Sequence, residues 1–202
     1  MSQGNLVRHP SQVSPQQRGT LLGQRGGVVW FTGLPGAGKS SVAARTEALL
    51  HASGRATYLL DGDALRLGLS ADLGFDAASR RENLRRAGEA AALLCDAGLI
   101  VLAAFVSPSL EDRALVASIV GRPRWLEVFV ATPVEVCEAR DPKGHYARAR
   151  RGDLPHFTGV SAPYEPPPLP DLRLDGTGTS VEDCAERVVA LLDHRGWLQS
   201  ER

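Results

Sequence analysis

The segment GLPGAGKS, residues 33–40, constrains this chain more than any other part of its sequence. It fits the pattern G-x-x-x-x-G-K-[ST], in which glycines let backbone N–H groups surround phosphate oxygens. Residues 28–32 before it are β-branched or aromatic and predict a buried strand, and residues 41–50 after it are rich in helix formers. A strand, a glycine-rich turn and a helix in this order favour a nucleotide site over an ordinary strand-to-helix turn.

The motif gives its polar side chains predicted roles. Lys39 is expected to reach the β- and γ-phosphates of a nucleotide, and the Ser40 hydroxyl is expected to bind Mg²⁺. The N-terminus of the following helix adds partial positive charge near the phosphates. The residues predicted to surround the nucleotide phosphates are Gly33, Leu34, Pro35, Gly36, Ala37, Gly38, Lys39, Ser40 and Ser41.

The length and composition of the chain suit a single core. It has 202 residues, of which 43% are hydrophobic. Lys and Arg together number 23, as do Asp and Glu, so net charge does not indicate a nucleic-acid or membrane partner, and we expect neither. No apolar run is long enough to span a bilayer. We expect a cytoplasmic protein whose three cysteines are small core residues.

Strands and helices alternate along the chain. The hydrophobic patterns predict strands over residues 28–32, 56–60, 99–106, 126–130 and 172–174. They predict helices over residues 16–22, 41–50, 79–97, 111–120, 133–140 and 181–192. This alternation predicts a three-layer α/β fold with a mostly parallel five-stranded sheet. Residues 1–26 are expected to form an N-terminal arm, and residues 27–202 the nucleotide-binding domain.

Two carboxylates follow the second predicted strand in the sequence Asp61-Gly62-Asp63. Open α/β sheets place their chemistry at the carboxyl ends of parallel strands. In an extended chain both side chains point the same way, so that one suits Mg²⁺ through water and the other the proton of a substrate hydroxyl. The alternative is that the acid serves as an N-cap for the next segment.

The long helix over residues 79–97 has its own polar start. Ser79 is the expected N-cap, with Glu82 at the capping-box spacing. Arg80 and Asn83 are about one turn apart and share a face near this start. That face suits an anionic substrate, although surface arginines are usually only solvated.

A basic segment covers residues 140–151 in an otherwise neutral chain. In phosphoryl-transfer proteins such a segment can close over the polyphosphate, supplying charge and excluding water. The alternative is a solvated cationic helix. We predict a lid over about residues 140–160.

These motifs together resemble the adenylyl-sulfate kinase (APS kinase) family, whose members use ATP to phosphorylate the 3′-hydroxyl of adenosine 5′-phosphosulfate (APS). The resemblance extends from about residue 5 to residue 177. Besides the phosphate loop, it includes residues 30–34, 60–63, 72–75, 81–86, 104–108, 127–130, 140–144, 157–159 and 163–165. It implies a P-loop fold, ATP as co-substrate, Mg²⁺ as cofactor and direct in-line transfer.

The resemblance also implies roles for individual residues. Asp63 is the candidate base, Asp61 supports the metal and the phosphates, and Phe75 stacks on adenine. Ser107 is expected to orient substrate rather than to form a phosphorylated intermediate. The predicted catalytic residues are Lys39, Asp63 and Ser107. The residues predicted to reach ATP from the lid are Arg140 and Lys143. The residues predicted to hold APS are Asp61, Asp63, Arg66, Phe75, Arg80, Asn83, Val106, Ser107, Lys143, Phe157 and Thr158.

The chain departs from the family pattern at several positions, some of them near the acceptor. Ala64 and Ser79 stand where the family usually has Asn and Asp, and Ser109-Leu110 replaces an aromatic–basic pair. An arginine is absent around residues 116–117, and Arg8 replaces a tryptophan. Two alternatives therefore stay open: a kinase for another small hydroxylated acceptor, and a non-catalytic nucleotide-binding partner of ATP sulfurylase. The leading interpretation also includes a homodimer and association with ATP sulfurylase.

Overall fold

A single parallel sheet forms the centre of the protein, for which the computed structural model describes His9 and residues 11–199. The departure at Arg8 lies outside the described residues. The strands are β1 (Gly27–Thr32), β2 (Thr57–Asp61), β3 (Ile100–Ala104), β4 (Trp125–Val130) and β5 (Leu172–Leu174). Their order across the sheet is β2-β3-β1-β4-β5, and all neighbouring pairs are parallel. The predicted five-stranded parallel sheet is confirmed.

The six predicted helices are present with small differences at their ends, and two shorter helices, over residues 62–67 and 145–150, lie between them. They are α1 (Pro15–Leu22), α2 (Lys39–Ala52), α3 (Gly62–Leu67), α4 (Ala77–Asp96), α5 (Leu110–Val120), α6 (Val134–Arg140), α7 (His145–Arg150) and α8 (Val181–His194). A short 3₁₀ turn covers Arg122–Arg124. No helix within residues 11–199 is both long and apolar enough to cross a membrane.

Strand β1 is buried on both faces, which makes the fold three-layered. All six of its residues are buried. Val29 and Phe31 pack in one apolar cluster with side chains of α2 and α8, such as Val42. Trp30 packs in the other with side chains of α4 and α5, such as Leu84, and stacks on Phe105 with ring centroids 4.6 Å apart. Alternate residues of a strand point to opposite faces, so β1 supplies both cores.

The start of α4 differs from the prediction, because Asp76 rather than Ser79 is its N-cap. The Asp76 carboxylate accepts hydrogen bonds from the Ser79 backbone N–H (3.0 Å) and the Ser79 hydroxyl (2.6 Å). An aspartate three residues earlier thus takes the capping position and satisfies the helix N–H groups. Glu82 does not complete a capping box; it pairs with Arg85 and Arg86, whose hydrogen bonds lower its pKa to about 2.

The N-terminal residues contact the edge of the sheet where the strands begin. Arg18 of α1 pairs with Asp96 at the end of α4 (2.6 Å). The Gln24 side-chain amide donates to the carbonyls of Ala56 and Gly98, each at 2.8 Å. These contacts place α1 at the edge opposite to the phosphate loop, since that loop follows the carboxyl end of β1.

Candidate active site

The phosphate loop joins β1 to α2 at the carboxyl edge of the sheet, as predicted. Gly36 and Gly38 have φ angles of 74° and 103°, which side chains rarely adopt. A Cβ on Gly36 would also lie 3.1 Å from the Cys137 carbonyl oxygen. Gly38 is the N-cap of α2, whose first residue is Lys39. The loop therefore directs free N–H groups of a helix N-terminus toward one place, as a phosphate site requires.

Lys39 lies buried beneath this loop, with 8% of its surface exposed. Its Nζ donates to the Leu34 carbonyl at 2.7 Å, which closes the loop around the side chain. Burial lowers the pKa of Lys39 to about 8, against the attraction of nearby groups that include Asp61 and Asp63. A phosphate near Nζ would stabilise the charged form of this amine, so the site favours an anion there.

Asp61 joins the phosphate loop to the second strand. Its Oδ2 accepts from the Ser40 hydroxyl at 2.9 Å, and its Oδ1 accepts from the Asp63 backbone N–H at 2.9 Å. Asp61 is thus the N-cap of α3, and the prediction of an extended chain through Asp63 is wrong because the backbone turns into α3 at Gly62. The carboxylate thus serves as an N-cap, the alternative interpretation, and it also accepts from Ser40; its role toward Mg²⁺ stays a prediction.

The basic segment begins beside the two carboxylates. Lys143 pairs with Asp63, and Arg140 donates to the Gly176 carbonyl at 2.6 Å. Both side chains of the ion pair are exposed, at 60% and 72%. The predicted base and the predicted lid lysine therefore meet in this structure, while Arg140 is directed to a backbone carbonyl.

Helix α7 shows why this segment is more than a solvated cationic helix. Tyr146 is buried, and its hydroxyl donates to the Pro35 carbonyl of the phosphate loop at 3.0 Å. The Asp141 carboxylate accepts from the backbone N–H groups of Tyr146 and Ala147, each at 3.0 Å, and so caps the helix. The sequence analysis did not predict a role for Tyr146. The available signal was an aromatic residue within a basic segment.

Four predicted acceptor residues lie on α3, on α4 and in the loop between them. Phe75 is 69% exposed, and the Arg66 guanidinium carbon lies 4.3 Å from the centre of its ring. Arg80 donates to the His156 carbonyl at 2.8 Å, which ties α4 to the predicted lid. Asn83 is buried, and its Oδ1 has no hydrogen-bond partner among the residues that the structure describes. An exposed aromatic side chain and a buried acceptor atom therefore lie close together in the sequence.

The residues after β3 are held tightly by β1. Ser107 is 2% exposed, and its hydroxyl accepts from Trp30 Nε1 and donates to Thr32 Oγ1, each at 3.0 Å. The Val106 carbonyl accepts from Thr32 Oγ1 at 2.9 Å. The Ser107 hydroxyl is therefore engaged within the protein rather than presented to solvent.

Phe157 and Thr158 lie at the end of the predicted lid and are both buried. The Phe157 ring meets the edge of Tyr146, with centroids 5.0 Å apart, and its backbone N–H donates to Ser161 Oγ at 3.0 Å. The contact with Tyr146 connects these two residues to the phosphate loop through α7.

The sequence analysis also did not predict a further contact beside the phosphate loop. Thr132 donates to the Ala37 carbonyl at 2.8 Å. Gly176 packs against Thr132 so closely that a Cβ would overlap the threonine Oγ1. The contact brings together three segments that are far apart in the chain, so no local spacing could reveal it.

Comparison with known proteins agrees with this geometry. The Adenylylsulphate kinase family model matches residues 25–175. An adenylyl-sulfate kinase of Enterobacter sp. (strain 638) is 54% identical over 172 residues, which covers 85% of this chain and 86% of that protein. The structure of the Mycobacterium tuberculosis APS kinase CysC in complex with AMPPNP and APS is similar with a TM-score of 0.82 and 50% identity. That match covers 84% of this chain and 99% of the other.

A longer relative matches as well. The bifunctional enzyme NodQ of Azospirillum brasilense is 52% identical over 192 residues, covering 95% of this chain. This chain spans 31% of the length of NodQ. With a family match over most of the chain, and with the phosphate loop, the two carboxylates and the basic segment meeting at one edge of the sheet, the protein belongs to the adenylyl-sulfate kinase family.

Proposed function

We propose that the protein transfers the γ-phosphoryl group of ATP to the 3′-hydroxyl of APS by direct in-line attack. The observation that supports this most is the meeting of the phosphate loop with two carboxylates: Ser40 Oγ lies 2.9 Å from Asp61 Oδ2, and Asp63 follows two residues later. The relatives are named adenylyl-sulfate kinases, and one structural neighbour holds AMPPNP and APS.

The donor half of the site binds ATP and Mg²⁺ in this proposal. Ser40 and Asp61 supply two exposed oxygens close together, which suits Mg²⁺ because that ion keeps several waters and takes its other ligands from phosphates. Ser40 would bind the ion directly and Asp61 through water. When bound, Mg²⁺ neutralises charge on the transferring phosphoryl group. Lys39 adds a buried positive charge at the same phosphates.

The acceptor half orients APS against that phosphoryl group. Phe75 stacks on adenine, since the side chain is exposed and Arg66 lies over only one face of its ring. Arg66 and Arg80 hold the anionic part, and the Asn83 Oδ1, buried without a partner in the described structure, accepts a hydrogen bond from the nucleotide. The backbone of Val106 and the segment from Phe157 to Thr158 line the remaining side.

Asp63 accepts the proton of the 3′-hydroxyl and orients the hydroxyl oxygen for attack on the γ-phosphoryl group. In the present structure Lys143 occupies its carboxylate, so Lys143 moves to the phosphates when ATP and APS bind. Arg140, on the same lid, moves to the phosphates with it. Ser107 holds the end of β3 in position, because its hydroxyl is already engaged by Trp30 and Thr32. A loose transition state asks for positioning and charge neutralisation, and needs no covalent step.

A coupled assay of ADP formation tests this function. With Mg²⁺ and ATP, the native protein should release ADP rapidly when APS is added and slowly without it. Lys39→Ala should lower the APS-dependent rate by about 10²–10³-fold, because it removes a preorganised cation at the transferring group. ADP release that does not respond to APS would contradict the proposal, and so would a Lys39→Ala variant with near-normal turnover.

We also propose that the protein is a cytoplasmic homodimer that associates with an ATP sulfurylase. Its three cysteines are buried and free, which suits a reducing compartment. The match to part of a bifunctional enzyme supports a link to a second activity. Light scattering on the purified protein measures the oligomeric state, and a monomer would contradict the homodimer. Co-purification with ATP sulfurylase tests the association.

A further inference from the structure

Arg113 of α5 is an almost fully buried cation with no part in the site described so far. It is 3% exposed, and its Nε lies 2.8 Å from Oε1 of Glu127 on β4. Burial raises the pKa of Glu127, although the positive charge of Arg113 opposes this. A buried charge is costly unless it is paired and hydrogen-bonded, so the partners of Arg113 determine what it does.

The guanidinium group of Arg113 is directed at two backbone carbonyls from different segments. Nη1 donates to the Ser107 carbonyl and Nη2 donates to the Glu165 carbonyl, each at 2.6 Å. Hydrogen bonds from a charged donor are stronger than those between neutral groups, and the planar fork fixes the geometry of both acceptors. Arg113 thus joins the end of β3 to the loop before β5.

The first of these carbonyls belongs to a strained residue. Ser107 has a φ angle of 37°, in the left-handed region that residues with a side chain seldom occupy. Such strain persists only where the surroundings hold it in place. The Ser107 side chain is held by Trp30 and Thr32, and Arg113 holds its carbonyl.

The second carbonyl belongs to a segment that lies against the same turn. The Glu165 backbone N–H donates to the Pro108 carbonyl at 2.9 Å, and the Glu165 carboxylate accepts from the Leu110 N–H at 2.6 Å. The neighbouring Tyr164 hydroxyl hydrogen-bonds with Thr32 Oγ1 at 2.9 Å. Both segments therefore depend on each other, and Arg113 lies where they meet.

We propose that Arg113 is a positioning residue for the acceptor: it holds the Ser107 turn against the segment of Tyr164 and Glu165, and so shapes the APS side of the site. This inference rests on the proposed function for the identity of the acceptor. Arg113 makes no hydrogen bond to the phosphate loop in the described structure and reaches it only through Ser107 and Thr32, so Arg113 acts mainly on APS binding.

Two variants of the full chain test the proposal. Arg113→Lys keeps a charge beside Glu127 but cannot donate to both carbonyls in the same geometry. The double variant Arg113→Met with Glu127→Gln removes both carbonyl contacts without leaving a carboxylate buried and unpaired. Val188→Ala, a truncation of the fully buried Val188 on α8, is the control for general destabilisation.

Steady-state kinetics and amide hydrogen exchange are measured on each variant. The double variant should raise the KM for APS roughly tenfold, as loss of charge-assisted hydrogen bonds implies, and should leave the KM for ATP unchanged. Arg113→Lys should lie between it and the native protein. Exchange at the Leu110 and Glu165 amides should quicken in the same order. Val188→Ala should change neither the ratio of the two KM values nor the relative exchange of these amides.

Each other outcome overturns a defined claim. Equal changes in both KM values, an unchanged KM for APS, or unaltered exchange at Leu110 and Glu165 would refute the positioning role. Failure of both Arg113 variants to fold would also refute it, because Arg113 would then support the whole domain. A native protein that does not phosphorylate APS would refute the proposed function alone, since the exchange measurement still tests whether Arg113 holds the two segments.

Discussion

Lys143 of the basic segment forms an ion pair with Asp63 at the start of α3. Because both side chains are largely exposed, this pair contributes little to stability and is easily exchanged for another partner. A polyphosphate carries more negative charge than one carboxylate and therefore attracts Lys143 more strongly. In this structure the pair therefore covers the candidate base, and the proposed function requires Lys143 to leave it.

If Asp63 is the base, its substitution should lower turnover more than a substitution at Ser107. Asp63→Asn keeps the shape of the side chain but removes the proton acceptor, and we expect it to lower kcat by about 10²-fold. Ser107→Ala removes a hydroxyl that contacts Trp30 and Thr32, so it should cost less and leave measurable turnover. Rate measurements at saturating ATP and APS compare the two variants.

Mass spectrometry supplies the control for this comparison. The native protein mixed with ATP alone should show no added phosphate. A stoichiometric phosphate on Ser107, formed and lost at the rate of turnover, would contradict direct transfer and establish a covalent route.

The buried state of Lys39 predicts a pH dependence of nucleotide binding. Burial lowers its pKa from 10.5 to about 8, so in the free protein the ammonium group loses its proton as pH rises through this value. ATP favours the charged form and should raise the pKa again. Affinity for a non-hydrolysable ATP analogue should therefore fall above about pH 8, with proton uptake on binding.

Calorimetry in buffers of different ionisation enthalpy detects that proton uptake. Lys39→Ala is the matched control, because its weaker binding should lack this pH dependence. Binding by the native protein that stays constant and independent of buffer above pH 8 would show that Lys39 is charged in the free protein.

Substitution of Arg80 is predicted to affect the binding of APS and of ATP differently. Its contact with His156 lies on the acceptor side, so Arg80→Ala should weaken APS binding and leave ATP binding intact. The neighbouring Arg81 pairs with Glu111 at 2.7 Å on the surface, and Arg81→Ala is the matched control with neither affinity changed. Equal loss of both affinities in Arg80→Ala would mean that the assignment of the acceptor site is wrong.

A side chain at position 176 is predicted to destabilise the protein beside the phosphate loop. A Cβ at this position would overlap Thr132 Oγ1, which donates to the Ala37 carbonyl, so Gly176→Ala should destabilise the protein by ~1–3 kcal/mol. A Cβ on Gly178 would meet its nearest atom at 3.4 Å, an ordinary contact, and Gly178→Ala should be nearly neutral. Urea unfolding of both variants measures the difference, and equal stabilities would contradict the packing described for Gly176.

The sheet could be predicted because its signals are local. Strands β1 and β3 are continuous apolar runs, and the phosphate loop has a fixed spacing. The cap at Asp76 was missed because two polar residues near one helix start compete for the same N–H groups. Asp61 shows a second limit, since its carboxylate is shared between Ser40 and the α3 cap, and the sequence favours neither partner.

Other parts of the site depend on contacts between distant segments. Tyr146 meets Pro35 across 111 positions of sequence, and Arg113 meets Glu165 across 52. No periodicity relates such residues, so only the folded chain brings them together. The family resemblance predicts the acceptor residues, because it draws on motifs that span most of the chain, and their roles stay predictions.

Identification of the reaction product tests the central claim most directly. The native protein is incubated with Mg²⁺, ATP and APS, and the product is examined by phosphorus NMR and mass spectrometry. We predict one ADP for each APS consumed and a new phosphomonoester on the 3′-oxygen of the ribose, with the sulfate group retained. A phosphate on any other atom, or ADP release without a phosphorylated form of APS, would contradict the account.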